Sequence, residues 1–272
     1  MTSSKRRTLA NQRFMNHKNH ANFGHKILEI TGFLRTFIIS YGIPGKQARL
    51  RKIYEPFISE GMLCFDIGSH FGNRIPVWSK LGANIVAIEP QPRLFKFLTR
   101  RYAKWENVTL LQTAVSDQKG ILTLFHNTRN PSLSSIDKSW VDDKKKDPMW
   151  GNYVWDDEIQ VQACTLDQLI AKYGIPGFCK IDVEGAEHKV LAGLSVPLKC
   201  VSFEYLTIDM ARSLSCIDRL EQLGLYEYNW TFSEKSELKS PVWLSASEMK
   251  VAIEHMNDGV YSGDVYARLR TL

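Results

Sequence analysis

Two stretches hold residues whose types and spacing could do chemistry. In the first, Asp66 is followed by Gly68, Ser69, His70 and Gly72, with the glycines spaced G-x-x-x-G and Asn73 closing the turn. The apolar run Met62 to Phe65 leads in, and a helix-compatible segment, Arg74 to Leu81, leads out. That is a strand–turn–helix unit in which a ligand can come close to bare backbone. The next apolar run, Ile85 to Ile88, ends in Glu89, and an acid closing a second strand is the usual partner of a ribose diol. Together they predict a site for a nucleoside-bearing cofactor. The second stretch is Lys180-Ile-Asp-Val-Glu-Gly-Ala-Glu187, where Asp182 ends one strand and Glu184 follows it. Glu204 ends the strand after that. Carboxylates at such positions are candidates to take or orient a proton.

The elements that must hold these residues alternate strand and helix from Met62 onward, the sign of a parallel sheet with right-handed crossovers. Strands are predicted at 62–67, 84–89 and 108–113, the last apolar on both faces and therefore interior. Helices fall near 74–81 and 92–104. Residues 120–125 and 159–163 alternate like half-exposed antiparallel strands. Between them, 127–157 is a long polar insertion. It reads as a flap over the site whose Trp140, Trp150, Tyr153 and Trp155 carry acceptor specificity. The doubly wound pattern resumes with a helix at 165–173 and strands at 178–182, 198–205, 225–232 and 261–269. Asp209 is placed as the N-cap of a helix closed by Gly224, and Ser245 to Glu248 as a capping box. His188 is placed on the outer side of its helix.

Composition bounds the setting. The 272 residues suffice for one large domain, and the net charge of +6 sits entirely in residues 1–26, which hold six Lys and Arg and no acid. The rest of the chain is neutral. Five cysteines form no C-x-x-C pair and fit a reduced, cytoplasmic setting. The basic first residues are not followed by an apolar h-region and a small-residue cleavage site, so no signal peptide is expected among them, and the segment Ile27 to Tyr41 is too short and too charged to span a bilayer. It reads as an amphipathic helix that, with a second helix, covers an edge or lid of the main domain. The organisation expected is an arm and helices over 1–59 and a catalytic domain over 60–272, with an insertion at 120–163. The arm itself reads as a solvated tail, or as a contact for an anionic surface or a partner subunit. A homodimer is compatible with the sequence.

Asp66-Ile-Gly-Ser-His-Phe-Gly72, Ile88-Glu-Pro90, Ala114-Val-Ser-Asp117, Thr165-Leu-Asp-Gln-Leu169, Lys180 to Glu187 and Gly263-Asp-Val-Tyr-Ala-Arg268 occur in one order. In that order the chain resembles the FkbM family of S-adenosylmethionine-dependent methyltransferases over roughly 60–270. The resemblance implies an α/β class I methyltransferase fold: a Rossmann-like, seven-stranded, mostly parallel sheet with helices on both faces. It also implies methyl transfer from S-adenosylmethionine, typically to a hydroxyl of a sugar, glycan or natural product. Asp66 would then accept from the cofactor's ammonium, Glu89 from both ribose hydroxyls, and Ala114, Val115 and Ser116 would lie beside the adenine. Members commonly carry Ala-Asn where this chain has Ser69-His70, and a neutral imidazole could donate one hydrogen bond there. Asp182, at the strand end facing the methyl group, is the preferred proton acceptor, with Glu184 next and Glu204 orienting the acceptor.

Other classes fit less well. A nucleic-acid methyltransferase would use the basic arm, but the body is neutral and Asp182-Val-Glu-Gly replaces the base-methylating tetrapeptide. A nicotinamide-dependent dehydrogenase needs G-x-G-x-x-G, and position 70 is His. A binding module without turnover would keep the fold alone. No His, Cys or Asp cluster with ligand spacing calls for a metal, although Asp182 and a nearby carboxylate are compatible with a divalent ion.

Overall fold

The apolar run that feeds the glycine turn forms β1 (Leu63–Ile67), flanked in parallel by β2 (Asn84–Ile88) and β7 (Phe178–Ile181). All four residues of β7, and the last four of β1 and of β2, are buried. Helices cover both faces of these strands, which explains why each reads as an unbroken apolar run. The structure is a computed structural model that describes residues 30–148, 150, 153–207, 209–232, 237–255 and 262–270.

Outside the central trio lie β3 (Val108–Leu111), β8 (Cys200–Leu206), β9 (Tyr226–Trp230) and β10 (Ser262–Leu269). The seven strands run in the order β3-β2-β1-β7-β8-β10-β9. β10 alone runs against the direction of the other six, wedged between β8 and β9. The chain winds outward from β1 to β3 and then returns to β7, so a topological switch point falls between β1 and β7. Ligands of doubly wound sheets bind outside the strands' carboxyl ends at such a point.

One sequence expectation fails here. The third strand is the sheet edge, not an interior strand, and it stops at Leu111. Its two-sided apolar character has a different cause: Val108 and Leu110 pack into the core on one face and Leu111 into the core on the other. Residues Ala114–Val115 leave the main sheet altogether and pair as β4 in a second one.

The face bearing α6 (Leu166–Tyr173), α7 (Glu187–Ala192), α8 (Met210–Leu223) and α9 (Ala246–Glu254) buries Leu166, Leu191, Ile217, Leu220 and Ile253 against the sheet. The opposite face bears α2 (Lys46–Tyr54), α3 (Ile75–Lys80) and α4 (Pro92–Tyr102), which bury Tyr54, Ile75, Trp78 and Leu98. Full burial of one such side chain contributes roughly 1.5–3 kcal/mol. Capping boxes start α6, through Thr165 and Gln168, and α9, through Ser245 and Glu248. Asp209 stands at the N-cap of α8 without capping it, because its carboxylate pairs with Arg212 instead.

The insertion folds into a layer of its own. β5 (Gly120–His126) pairs antiparallel with β6 (Asp157–Cys164), and β4 completes a three-stranded sheet, β4-β6-β5. Helix α5 (Lys138–Lys146) starts where Asp137 accepts from the Ser139 and Trp140 amides. Trp140 is fully buried and Trp155 nearly so, packed with Leu133 and Val141 into a small core against which Trp150 and Tyr153 rest. The expectation that Trp140 and Trp155 face an acceptor is therefore overturned: they hold the insertion together. Residues 30–41 form a helix, α1, whose Phe33 and Phe37 pack edge-on against Phe71 and Phe97. The arm 1–24 lies outside the described residues. No described helix is long and apolar enough to cross a membrane.

Candidate active site

A cavity of about 360 Å³ opens at the carboxyl ends of β1, β2, β7 and β8. That size lies within the roughly 300–1,000 Å³ common for small-molecule sites. Gly68, His70, Asn73 and Glu89 line one side, Asp182, Glu184, Glu204 and Asp264 the other, with Ala114 and Val115 adding apolar wall. Asn130 to Ser132 of the insertion and Thr36 and Ser40 of α1 close the top.

On the first side the glycine turn is fixed by the sheet. The Gly68 and Ser69 amides both donate to the Ile88 carbonyl, and the Ser69 hydroxyl donates to the Asp66 carbonyl. Gly68 has φ +77, and a Cβ there would collide with the Asp182 carbonyl, so the end of β7 passes directly against it. Gly72, at φ +70, faces away from the cavity; a Cβ there would press into Ile75, Leu98 and Tyr102. Glu89 is buried, and its two oxygens accept from the His70 and Gln91 amides at 2.8 and 2.9 Å. Burial pushes its pKa up to about 7, against the pull of those two bonds. Each oxygen keeps a lone pair for a further donor. The His70 ring lies edge-on to Phe71; burial pulls its pKa down to about 4, so it is neutral, and its Nε2 has no hydrogen-bond partner among the described residues.

The other side is built on alternating charge. Arg74, at the start of α3, donates to Asp66 Oδ1 through Nε (2.7 Å), to Asp182 Oδ2 through Nη1 (2.8 Å) and to the Gly68 carbonyl through Nη2 (2.9 Å). Lys180 Nζ donates to Asp264 Oδ1 at 2.8 Å and lies 3.7 Å from Asp182 Oδ2. The chain Asp66–Arg74–Asp182–Lys180–Asp264 thus runs from the carboxyl-terminal half of β1 past the end of β7 to the amino end of the antiparallel β10. Burial pushes the Asp182 carboxyl up, but Lys180 and Arg74 overcome it and hold the group at about 2. Glu184 and Glu204 form no salt bridge among the described residues: burial, then their fellow carboxylates, raise both well above the ordinary range against a weaker pull from Lys180. Asp182, Glu184 and Glu204 each offer an oxygen, all within 4.8 Å of one another. The fold thereby assembles a carboxylate trio able to hold a divalent cation, which no sequence spacing announces.

Of the sequence candidates, Gly68, His70, Asn73, Glu89, Ala114, Val115, Asp182, Glu184 and Glu204 meet at the cavity, whereas Asp66, Ser69, Gly72 and Ser116 stand behind its wall. Asp66 is fully buried and one oxygen is bonded to Arg74. The Ser116 hydroxyl donates to Asp117. His188 is half-buried rather than outward, with Nε2 3.6 Å from Asp137. Two functional-side residues escape the sequence reading, Arg74 and Lys180. The signal for Arg74 was a lone guanidinium opening an otherwise apolar helix; for Lys180, a cation inside a strand buried on both faces.

His70 (φ 51) and Glu184 (φ 55) are the only non-glycine residues with positive φ among those described, and both line the cavity. Such a conformation costs roughly 1–2 kcal/mol for a residue with a Cβ. Strain concentrated in one place is a mark of a functional site.

The sequence from 66 to 211 matches the FkbM methyltransferase domain. The chain belongs to the FkbM methyltransferase family. Its members use S-adenosylmethionine, and this FkbM protein carries the class I methyltransferase sheet order. Solved structures similar to it include a TehB-like S-adenosylmethionine-dependent methyltransferase from Corynebacterium glutamicum, 11% identical, with 94% of this chain and 99% of that one covered at a TM-score of 0.43. Precorrin-6y C5,15-methyltransferase from Geobacter metallireducens is 12% identical, with 83% and 87% covered and a TM-score of 0.42. An O-methyltransferase from Bacillus cereus, in complex with SAH, is 8% identical, with 88% and 91% covered and a TM-score of 0.42. No curated protein matches the chain.

The cavity's donor set fits the family's cofactor. Glu89 offers acceptors for a diol, His70 Nε2 has no hydrogen-bond partner among the described residues and is left for a polar group, and Ile67, Ile88 and Val115 give an apolar surface for a base.

Proposed function

We propose that this FkbM methyltransferase O-methylates a hydroxyl of a sugar, glycan or natural product. S-adenosylmethionine supplies a methyl group on an activated sulfonium, open to in-line displacement. In this reading Glu89 accepts from the ribose hydroxyls, Gly68, Ser69, His70 and Asn73 shape the turn around the amino-acid end, and Ala114 and Val115 flank the adenine. Asp66, Gly72 and Ser116 act from behind, Asp66 by fixing Arg74.

The observation that carries the reading is the carboxylate trio in the same cavity as Glu89. A sugar hydroxyl is a weak nucleophile, and a nearby base that takes its proton in the transition state accelerates attack, typically by about 10²–10⁴-fold. The geometry shifts that role away from Asp182. Held ionised by Arg74 and Lys180, Asp182 is too weak a base and is better suited to orient the hydroxyl. Glu184 and Glu204, whose carboxyls burial has raised, are in their ionised form the stronger bases. Alignment of donor and acceptor supplies the remainder of the acceleration.

The test is transfer of a labelled methyl group from S-adenosylmethionine to fractionated glycans, small molecules and nucleic acids. Label recovered as a methyl ether in the glycan or small-molecule fraction is the expected result. Label confined to nuclease-sensitive material would contradict it.

A further inference from the structure

Helix α1 is turned inside out relative to an ordinary surface helix. Its inward row is aromatic: Phe33, Phe37 and Tyr41 at spacing i, i+4, i+8, seated on Phe71 and Phe97, with the Tyr41 hydroxyl donating to the Phe71 carbonyl at 2.7 Å. Its outward row repeats the same spacing with Ile30, Leu34 and Ile38, and Ile39 and Ile43 continue it. These five side chains are 42–62% exposed. An aliphatic stripe this continuous, on a helix already anchored by its other face, is the signature of a surface that meets something apolar.

The charge around the stripe says what that is. Of the cations between residues 30 and 54, Lys46 is buried, Arg51 pairs with Glu55 and Lys52 with Glu237, which leaves Arg35 and Arg49 for an anionic surface. Arg35 is exposed on the stripe's flank, and Arg49 is exposed beyond the turn that carries Ile43. At the helix base the Arg93 guanidinium lies over the Phe33 ring at 4.5 Å and Arg101 over the Tyr41 ring at 4.9 Å. By sequence, residues 1–26 add six further Lys and Arg and no acid. A second copy of the chain would bring a second strongly basic surface against this one. An anionic lipid surface satisfies both features at once, since aliphatic side chains enter the headgroup–acyl boundary while Lys and Arg meet phosphates.

We infer that α1 docks this protein on anionic membranes by its Ile30–Leu34–Ile38 row. Because Arg35 and Ile39 border both that row and the cavity, docking sets the rim of the cavity at the lipid surface. The inference is independent of which acceptor is methylated.

Co-sedimentation of the full chain with vesicles tests it, comparing phosphatidylglycerol-rich with pure phosphatidylcholine vesicles. The wild type is expected to partition into the anionic vesicles at least tenfold more strongly, with binding weakened but not lost at high salt. The double variant Leu34→Ser/Ile38→Ser should lose at least tenfold of that partition while keeping wild-type melting and S-adenosylmethionine affinity. Ile43→Ser, outside the helix, should give a smaller loss in the same direction. Wild-type protein left in the supernatant with anionic vesicles would overturn the proposal. So would a double variant that binds as the wild type does, which would assign binding to charge alone. A wild-type dimer that the double variant splits, without vesicle binding, would assign the stripe to a second copy and equally refute it.

Discussion

The two sides of the cavity are built on different principles. On the glycine-turn side, the groups sit close together in sequence, 66–73 and 89–91, and backbone amides hold Glu89 in place. On the carboxylate side, the groups come from β7, β8 and β10, far apart in the chain, and buried ions hold them. The first side can be tuned by one residue without disturbing its neighbours. The second is a linked set, in which a change at Asp182 removes the carboxylate that Arg74 and Lys180 share and leaves Arg74 with Asp66 and Lys180 with Asp264. The lesson is that donor binding and proton handling should separate under mutation.

The largest effect expected is on turnover. Glu184→Gln and Glu204→Gln should each lower it by about 10²–10⁴-fold in single-turnover assays with labelled donor, while cofactor affinity stays within about twofold. Treatment with EDTA should leave wild-type turnover unchanged. Turnover lost to EDTA and restored by Mg²⁺ would instead assign the trio to a divalent cation.

A smaller effect concerns pH on the other side. The ionised Glu89 carboxylate accepts from hydroxyls, whereas below its pKa of about 7 it carries a proton and loses acceptor capacity. Cofactor affinity should therefore fall about tenfold from pH 8 to pH 6, following protonation of one group. In Glu89→Gln the same titration should be flat; a slope surviving there would place the titrating group elsewhere. His70, already neutral with its pKa near 4, does not contribute in that window.

The smallest effect distinguishes strain from function. Glu184 sits at φ 55, so Glu184→Gly should raise thermal stability by about 1 kcal/mol while turnover collapses. A destabilised Glu184→Gly would mean that the side chain holds the fold rather than the chemistry.

What was legible in the sequence follows the same division. The turn Asp66 to Asn73 and Glu89 could be read because glycine spacing and a strand-ending acid are local signals. The mostly parallel sheet is legible in the alternation of strand and helix, while the strand order is not. Arg74 and Lys180 were not placed, since their partners Asp66, Asp182 and Asp264 meet only after four strands align. For Asp182 the sequence gives the position at the strand end and not the two cations, Arg74 and Lys180, that lower its basicity. The interior placement of β3 failed because covering helices make an edge strand look like a central one. The burial of Trp140 and Trp155 is not legible in the sequence, because a polar segment gives no sign that it folds around a core of its own. The outward aliphatic row of α1 was visible as apolar spacing, but only the packed aromatic row beneath it shows which side is covered.

Calorimetric titration of S-adenosylmethionine into Glu89→Ala and Glu184→Gln side by side tests the division most directly. The account predicts that Glu89→Ala loses affinity by about 100-fold or more, the loss of two hydrogen bonds to a charged acceptor, while Glu184→Gln binds as the wild type does and fails to turn over. Wild-type affinity in Glu89→Ala would contradict it.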